Sequence, residues 1–136
     1  MKLSYAILPD QALILQRYSG PFSLQQIIDS IKTVWDDPRY SKSFNGIIDL
    51  SSASMLISIS EMQALIQFFA NHTHTPHGKW ATVVNSPIST AFIILYQKAL
   101  AHKHDLQVFS TMEAACKYVN TESATVLTWF KNTVHA

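Results

Sequence analysis

After two extended segments at its start, the chain alternates short apolar runs with helix-forming stretches, and each stretch opens on a serine. Ser23-Leu24-Gln25-Gln26, Ser58-Ile59-Ser60-Glu61 and Ser110-Thr111-Met112-Glu113 are capping boxes by spacing. In such a box the serine side chain accepts the backbone N–H three residues on, and the Gln or Glu there reaches back to the backbone N–H of the serine. Ser86-Pro87 opens a further helix, since proline fits the first helical position, where its missing N–H is not needed. Phe22 with Ile27 and Ile57 with Met62 have the spacing of hydrophobic staples. The runs between the helices, Gly46 to Leu50, Trp80 to Val84 and Leu106 to Phe109, read as buried strands. Strand–helix alternation of this kind requires crossovers, which are right-handed and make the strands parallel.

The first two segments, Leu3 to Leu8 and Ala12 to Tyr18, are separated by the turn pair Pro9-Asp10 and read as a hairpin, the second strand closing at Gly20-Pro21. Helical period carries Ile27, Ile28, Ile31, Val34 and Trp35 to a stop at Asp37-Pro38. The second helix carries Met62, Leu65, Ile66 and Phe69. In the third, Ile88, Ala91, Phe92, Leu95, Tyr96 and Ala99 make one face, while Ile93 and Ile94 fall off it. That helix is therefore apolar around most of its circumference and must meet something on more than one side. A last helix, about Ser123 to Val134, carries Val126, Leu127, Phe130 and Val134. The order is β-β-α-β-α-β-α-β-α-α.

A chain of 136 residues fits a single domain with its own core. Charged residues are only 14% and the net charge is +1, so no basic footprint for nucleic acid exists. One cysteine, Cys116, excludes an intrachain disulfide and a cysteine-based zinc framework; beside Ala114 and Ala115 it reads as a small buried hydrophobe. The first residues have no apolar core of signal-peptide length and no run approaches ~18 apolar residues, so a cytoplasmic location is expected.

The residues that carry a resemblance are Tyr18-Ser19-Gly20, Asp37-Pro38-Arg39-Tyr40, Ile48-Asp49-Leu50, Ala81-Thr82-Val83-Val84, and the junction from Val108-Phe109-Ser110 to Glu113-Ala114-Ala115. In order and spacing they resemble the STAS domain and, more specifically, the SpoIIAA-like branch of small bacterial proteins, related in fold to the CRAL-TRIO lipid-transfer domain. The resemblance covers about residues 3 to 120 and leaves residues 121–136 as an additional C-terminal helix. It implies an α/β, STAS-like sandwich: an about five-stranded mixed sheet, an N-terminal β-hairpin and helices mainly on one face. It also implies a non-enzymatic domain without a cofactor. The phosphorylated serine of STAS antagonists lies in an Asp-Ser-Ser-Gly motif that is missing here, where Ile59 takes its position. The SpoIIAA-like relatives instead imply a small lipophilic ligand between helices or contact with a membrane surface.

Sites in open α/β sheets lie beyond the carboxyl ends of strands. The run Ile47-Ile48-Asp49-Leu50-Ser51-Ser52 reads as a strand that stops at its polar residues. An apolar molecule or lipid is therefore expected between the second and third helices, against Leu56, Phe68, Phe69, Phe92, Tyr96 and Trp80, oriented by Asp49, Ser51 and Ser58. Burying ~100 Å² of acyl chain supplies roughly 2–3 kcal/mol, so several such contacts are needed. The alternative is a homodimeric protein-interaction module, of the anti-sigma-antagonist kind, using the same helix surface without ligand. Coverage of that surface by the last helix would remove both readings. His72, His74 and His77 have the composition of a metal site but sit in a Thr- and Pro-rich loop, and no metal is expected there. Ser58 and Ser60 at a helix start, and His102 and His104 at a helix end, are explained by capping and by the helix dipole.

Overall fold

The computed structural model describes residues 2–132. A strand β1 (Lys2–Leu8), a 3-10 turn at Pro9–Gln11 and β2 (Leu13–Phe22) form the opening hairpin, followed by α1 (Leu24–Trp35) and β3 (Asn45–Met55). Then come α2 (Ile59–Asn71), β4 (Lys79–Val83), α3 (Pro87–Leu100), β5 (Asp105–Phe109), α4 (Met112–Tyr118) and α5 (Ser123–Asn132). The element order is the one the sequence predicts, and Val134 lies outside the described residues. The five strands lie in the order β1-β2-β3-β4-β5, with β1 antiparallel to β2 and the other pairs parallel.

Because strand order advances in one direction from β2 to β5, crossovers of one hand all fall on one face. The helices α1, α2 and α3 accordingly share a face, packing with Ile14, Tyr18, Trp80 and Leu106 of the sheet. The chain after β5 returns over the other face. There α4 and α5 bury Ala115, Cys116, Val126 and Phe130 against Leu13, Leu15, Ile47, Ala81 and Val83. Strand alternation produces this division, odd and even positions of β2 and β4 facing opposite layers.

Ser23 and Ser58 each accept the N3 backbone N–H, and Gln26 and Glu61 return the bond, so both boxes form as spaced. The third box does not. Thr111 is the cap of α4, accepting from Ala114 N, so the helix starts one residue later than Ser110 predicts. A larger departure concerns β2 and β3. Neither stops where the sequence suggests: Ser19 to Phe22 of β2 pairs with Ser52 to Met55 of β3, beyond a register shift between Arg17 and Ser19. Pro21 is tolerated because β1 no longer pairs there, its register ending at Lys2 and Ser19. The β2 extension carries no apolar alternation, and in β3 the alternation Ser52-Ala53-Ser54-Met55 lies beyond the polar residues that read as the strand's end; mutual pairing makes both of them strands.

Candidate functional site

Between the sheet and the layer of α1, α2 and α3 lies a half-open cavity of about 100 Å³. Its floor is the sheet: Gln16 and Tyr18 of β2, Ile48, Leu50 and Met55 of β3, Trp80 and Thr82 of β4, and Leu106 of β5. Its roof comes from Ile31, Val34 and Trp35 of α1, Leu65 and Phe69 of α2, and Phe92, Ile93 and Tyr96 of α3, with Pro76 and His104 at the side. The volume is of the order of the ~150 Å³ engineered cavity that takes up benzene. No Lys, Arg, Asp or Glu lines it.

Polar side chains in this wall fall into two sets. In the first, the Tyr18 hydroxyl donates to Gln16 Oε1 at 3.1 Å, and Ser30 Oγ lies 3.3 Å from that hydroxyl. Burial pushes the Tyr18 pKa up to about 12, so this phenol stays protonated. In the second set, the Tyr96 hydroxyl and His104 Nδ1 form a short hydrogen bond. Burial raises the tyrosine and lowers the histidine to about 4, so both are neutral at pH 7. The tyrosine proton has no other acceptor among the described residues; Tyr96 therefore donates to Nδ1, and the remaining imidazole proton sits on Nε2.

Three buried atoms of the wall have no hydrogen-bond partner among the described residues: Trp80 Nε1, Thr82 Oγ1 and His104 Nε2. Their residues are 2%, 0% and 4% exposed. The Trp80 and His104 rings meet edge-to-face with centroids 6.0 Å apart. Trp80 in turn lies over Gly46, where a Cβ would overlap the indole carbons.

Phe69, Trp80, Phe92 and Tyr96, expected from the sequence as contacts of a ligand, all belong to the cavity wall. Phe68 does not; it stacks on Trp35 with centroids 5.5 Å apart, outside the cavity. Leu56 follows β3 and is 65% exposed. Ser58 is occupied by its capping box and lies 3.1 Å from Ser60. Asp49 and Ser51 sit within β3 rather than past its end. Asp49 belongs to the opposite sheet face, its Oδ2 accepting from Arg17 Nη2 at 2.7 Å and Nε at 3.0 Å, its Oδ1 accepting from Ser51 N at 2.9 Å and Ser51 Oγ at 2.6 Å. Arg17 also donates to the Phe130 carbonyl and stands over its ring, so this ion pair fastens α5 to the sheet.

Most of the wall was not expected at the site from the sequence, the polar residues Gln16, Thr82 and His104 among it. A signal existed for two of them: Gln16 and Thr82 are polar residues at buried-strand positions inside otherwise apolar runs. His104 was assigned to the dipole of the preceding helix; the chain instead turns after Leu100 and returns the ring inward to Tyr96. The face of α3 also differs from expectation. Ser89, Phe92, Ile93, Tyr96 and Leu100 are buried, and Ile88, Ile94 and Leu95 are exposed at 58%, 40% and 43%. The last helix does not cover them, since α5 packs on the far side of the sheet.

The histidine loop packs as aromatic surface. His72 lies against Trp35 with centroids 4.5 Å apart, and His72 Nδ1 accepts from the His74 backbone. Among the described residues no three His, Cys, Asp or Glu converge as metal ligands. A second recess of about 390 Å³ is more polar, lined by Gln11, Asn45, Asn120 and Glu122. Asn45 there spends its amide on Val119 O and Lys79 N, holding loops together. No described helix is long and apolar enough to cross a membrane.

No family model matches the chain, and no curated protein matches it. A solved structure does: an uncharacterized protein of the DUF3478 family from Shewanella loihica PV-4, described as having a SpoIIAA-like fold. It is 9% identical, with a TM-score of 0.57, and the match covers 86% of this chain and 93% of that one. The chain has the SpoIIAA-like fold, an α/β sandwich with a five-stranded mixed sheet.

Proposed function

We propose that this protein is a non-catalytic binding module that holds a small lipophilic molecule between its sheet and the layer of α1, α2 and α3. A single observation carries the reading: the cavity of about 100 Å³ is walled almost wholly by apolar and aromatic side chains. Natural interiors are close-packed, and side chains that line a void forfeit contacts there. Filling it with hydrocarbon restores them. No carboxylate or cysteine lines the wall, and its histidine, His104, is kept neutral by burial and bonded to Tyr96.

The test is native mass spectrometry of protein purified from cells without organic solvent. A low-mass adduct is expected on the wild type and is expected to be absent from Val34→Phe, which fills the cavity from α1. Bare protein in both samples would contradict the reading.

A second reading rests on a separate observation. Ile88, Ile94 and Leu95 of α3, with Leu56 and Ile59 near the start of α2, are exposed large apolar residues. They suit a homodimer or contact with a membrane surface. A wild-type sedimentation coefficient that rises with concentration, and ceases to in Leu95→Lys, supports the dimer.

A further inference from the structure

The sheet has two edges, and they are finished differently. At one edge β5 is five residues long and begins on a carboxylate, Asp105. Its backbone is engaged from α3, Gln97 Nε2 donating to the Leu106 carbonyl at 2.8 Å. Shortness, charge and a covering side chain are ordinary ways of blunting an edge. At the other edge β1 runs for seven residues, Lys2-Leu3-Ser4-Tyr5-Ala6-Ile7-Leu8, with Lys2 its only charge and no proline. Its register with β2 is unbroken, so no bulge turns it away. Every second residue of such a strand directs its N–H and C=O outward. Among the described residues β1 pairs with β2 alone, and no loop bonds to its backbone. Its side-chain hydrogen bond, from the Tyr5 hydroxyl to Asp37, leaves that backbone free.

We infer that this edge seats a second copy of the chain, the two β1 strands pairing antiparallel about a two-fold axis into one continuous sheet with five strands from each copy. The contact is isologous and closes, because each copy spends the same edge. The axis stands perpendicular to the sheet, so residues of one face oppose residues of that same face. Leu3, Tyr5 and Ile7 belong to the face of α1, α2 and α3, and Leu8 to the other. Centring the pair on Tyr5 satisfies this and uses the full length of the strand. Leu3 then lies opposite Ile7 of the second copy, and Ser4 opposite Ala6, with no like charges facing. Lys2 lies opposite Leu8 of the second copy, beside the turn that carries Asp10. Neither Lys2 nor Asp10 has an ion-pair partner among the described residues, so the arrangement matches charge as well as shape. This edge is distinct from the exposed face of α3 and from the cavity, and its occupancy does not depend on the ligand.

Sedimentation velocity and amide hydrogen exchange of the full-length protein, each over a range of concentration, test this. The expected result is a monomer–dimer equilibrium in which the β1 amides exchange more slowly as dimer forms. Leu95→Lys, on α3, is expected to leave it in place. Two double variants read the register. Ser4→Glu with Ala6→Glu sets two pairs of carboxylates face to face across the axis and weakens the dimer by about tenfold or more. Ser4→Glu with Ala6→Lys sets opposite charges there and restores it. Both carry the same change beside Arg17 of β2, so the comparison isolates the second position. A monomer at every concentration overturns the inference. So does a dimer that is lost in Leu95→Lys while β1 exchange stays constant, which assigns the contact to α3. Mass that keeps rising beyond the dimer overturns the closed two-fold. Should a double variant fail to fold, the concentration dependence of β1 exchange in the wild type decides.

Discussion

Trp80 can lie flat across β3 only because residue 46 of that strand has no side chain. The register sets Gly46 beside Trp80, so the indole occupies the space a Cβ would take. Gly46→Ala is therefore expected to displace the ring and deform the cavity floor, at about 1–3 kcal/mol of stability. Urea denaturation followed by tryptophan fluorescence measures both effects at once. An unchanged midpoint and spectrum would show that the ring has room to move.

His104 offers a second test among single residues. Its folded-state pKa, about 4, lies below the ordinary 6.5, and burial is the leading cause. Between those values the unfolded chain binds a proton that the folded chain does not. Stability is thus full above about 6.5 and falls as pH drops toward about 4, by roughly 3 kcal/mol across the window. Unfolding free energies of wild type and His104→Phe, compared from pH 7 to pH 4.5, are expected to converge as pH falls. Parallel curves would contradict the burial of a neutral ring. Asp37, held well below the usual carboxylate range by Arg39, loses its contribution only at lower pH, while His72, also lowered by burial, titrates in this window in both proteins and cancels from the comparison.

Among the elements, α5 is held by more than its apolar stripe. Val126 and Phe130 are buried against the sheet, and Arg17 joins the Phe130 carbonyl to the carboxylate of Asp49. The pair is largely buried, with side-chain exposures of 15% and 3%. Removing one partner of such a pair leaves a buried charge uncompensated, at about 3–5 kcal/mol. Arg17→Met is expected to cost that much, and Arg17→Met with Asp49→Leu to recover most of it. A double variant as unstable as the single one would mean that Arg17 acts chiefly through its contact with Phe130.

The same scale separates what the sequence could reveal from what it could not. Helix starts were legible at Ser23, Ser58 and Ser86 because a cap is a local bond between near neighbours. The far halves of β2 and β3 were not, because only their mutual pairing makes them strands. The buried face of α3 was hidden for a different reason. Apolar residues occupy so much of its surface that period alone cannot choose among phases, and neighbouring α2 and β5 make the choice. Asp49 and Ser51 were drawn toward the candidate site by a strand end that does not exist.

At the scale of the molecule, one sheet separates two unlike layers. The α4–α5 side is a hydrophobic core closed by an ion pair. The side of α1, α2 and α3 contains the cavity, and with it the three buried polar side-chain atoms that lack a partner among the described residues. Burial was legible in the sequence as apolar strands and stripes, but the void was not. A void is the difference between the volume the elements enclose and the volume their side chains fill, and no local pattern encodes it.

The most direct measurement is a crystal structure of protein taken from cells without exposure to organic solvent. Continuous density is predicted over the sheet between α1, α2 and α3, against the apolar wall of the cavity. A cavity closed by inward movement of the helices, or containing only separate water peaks, would contradict the account.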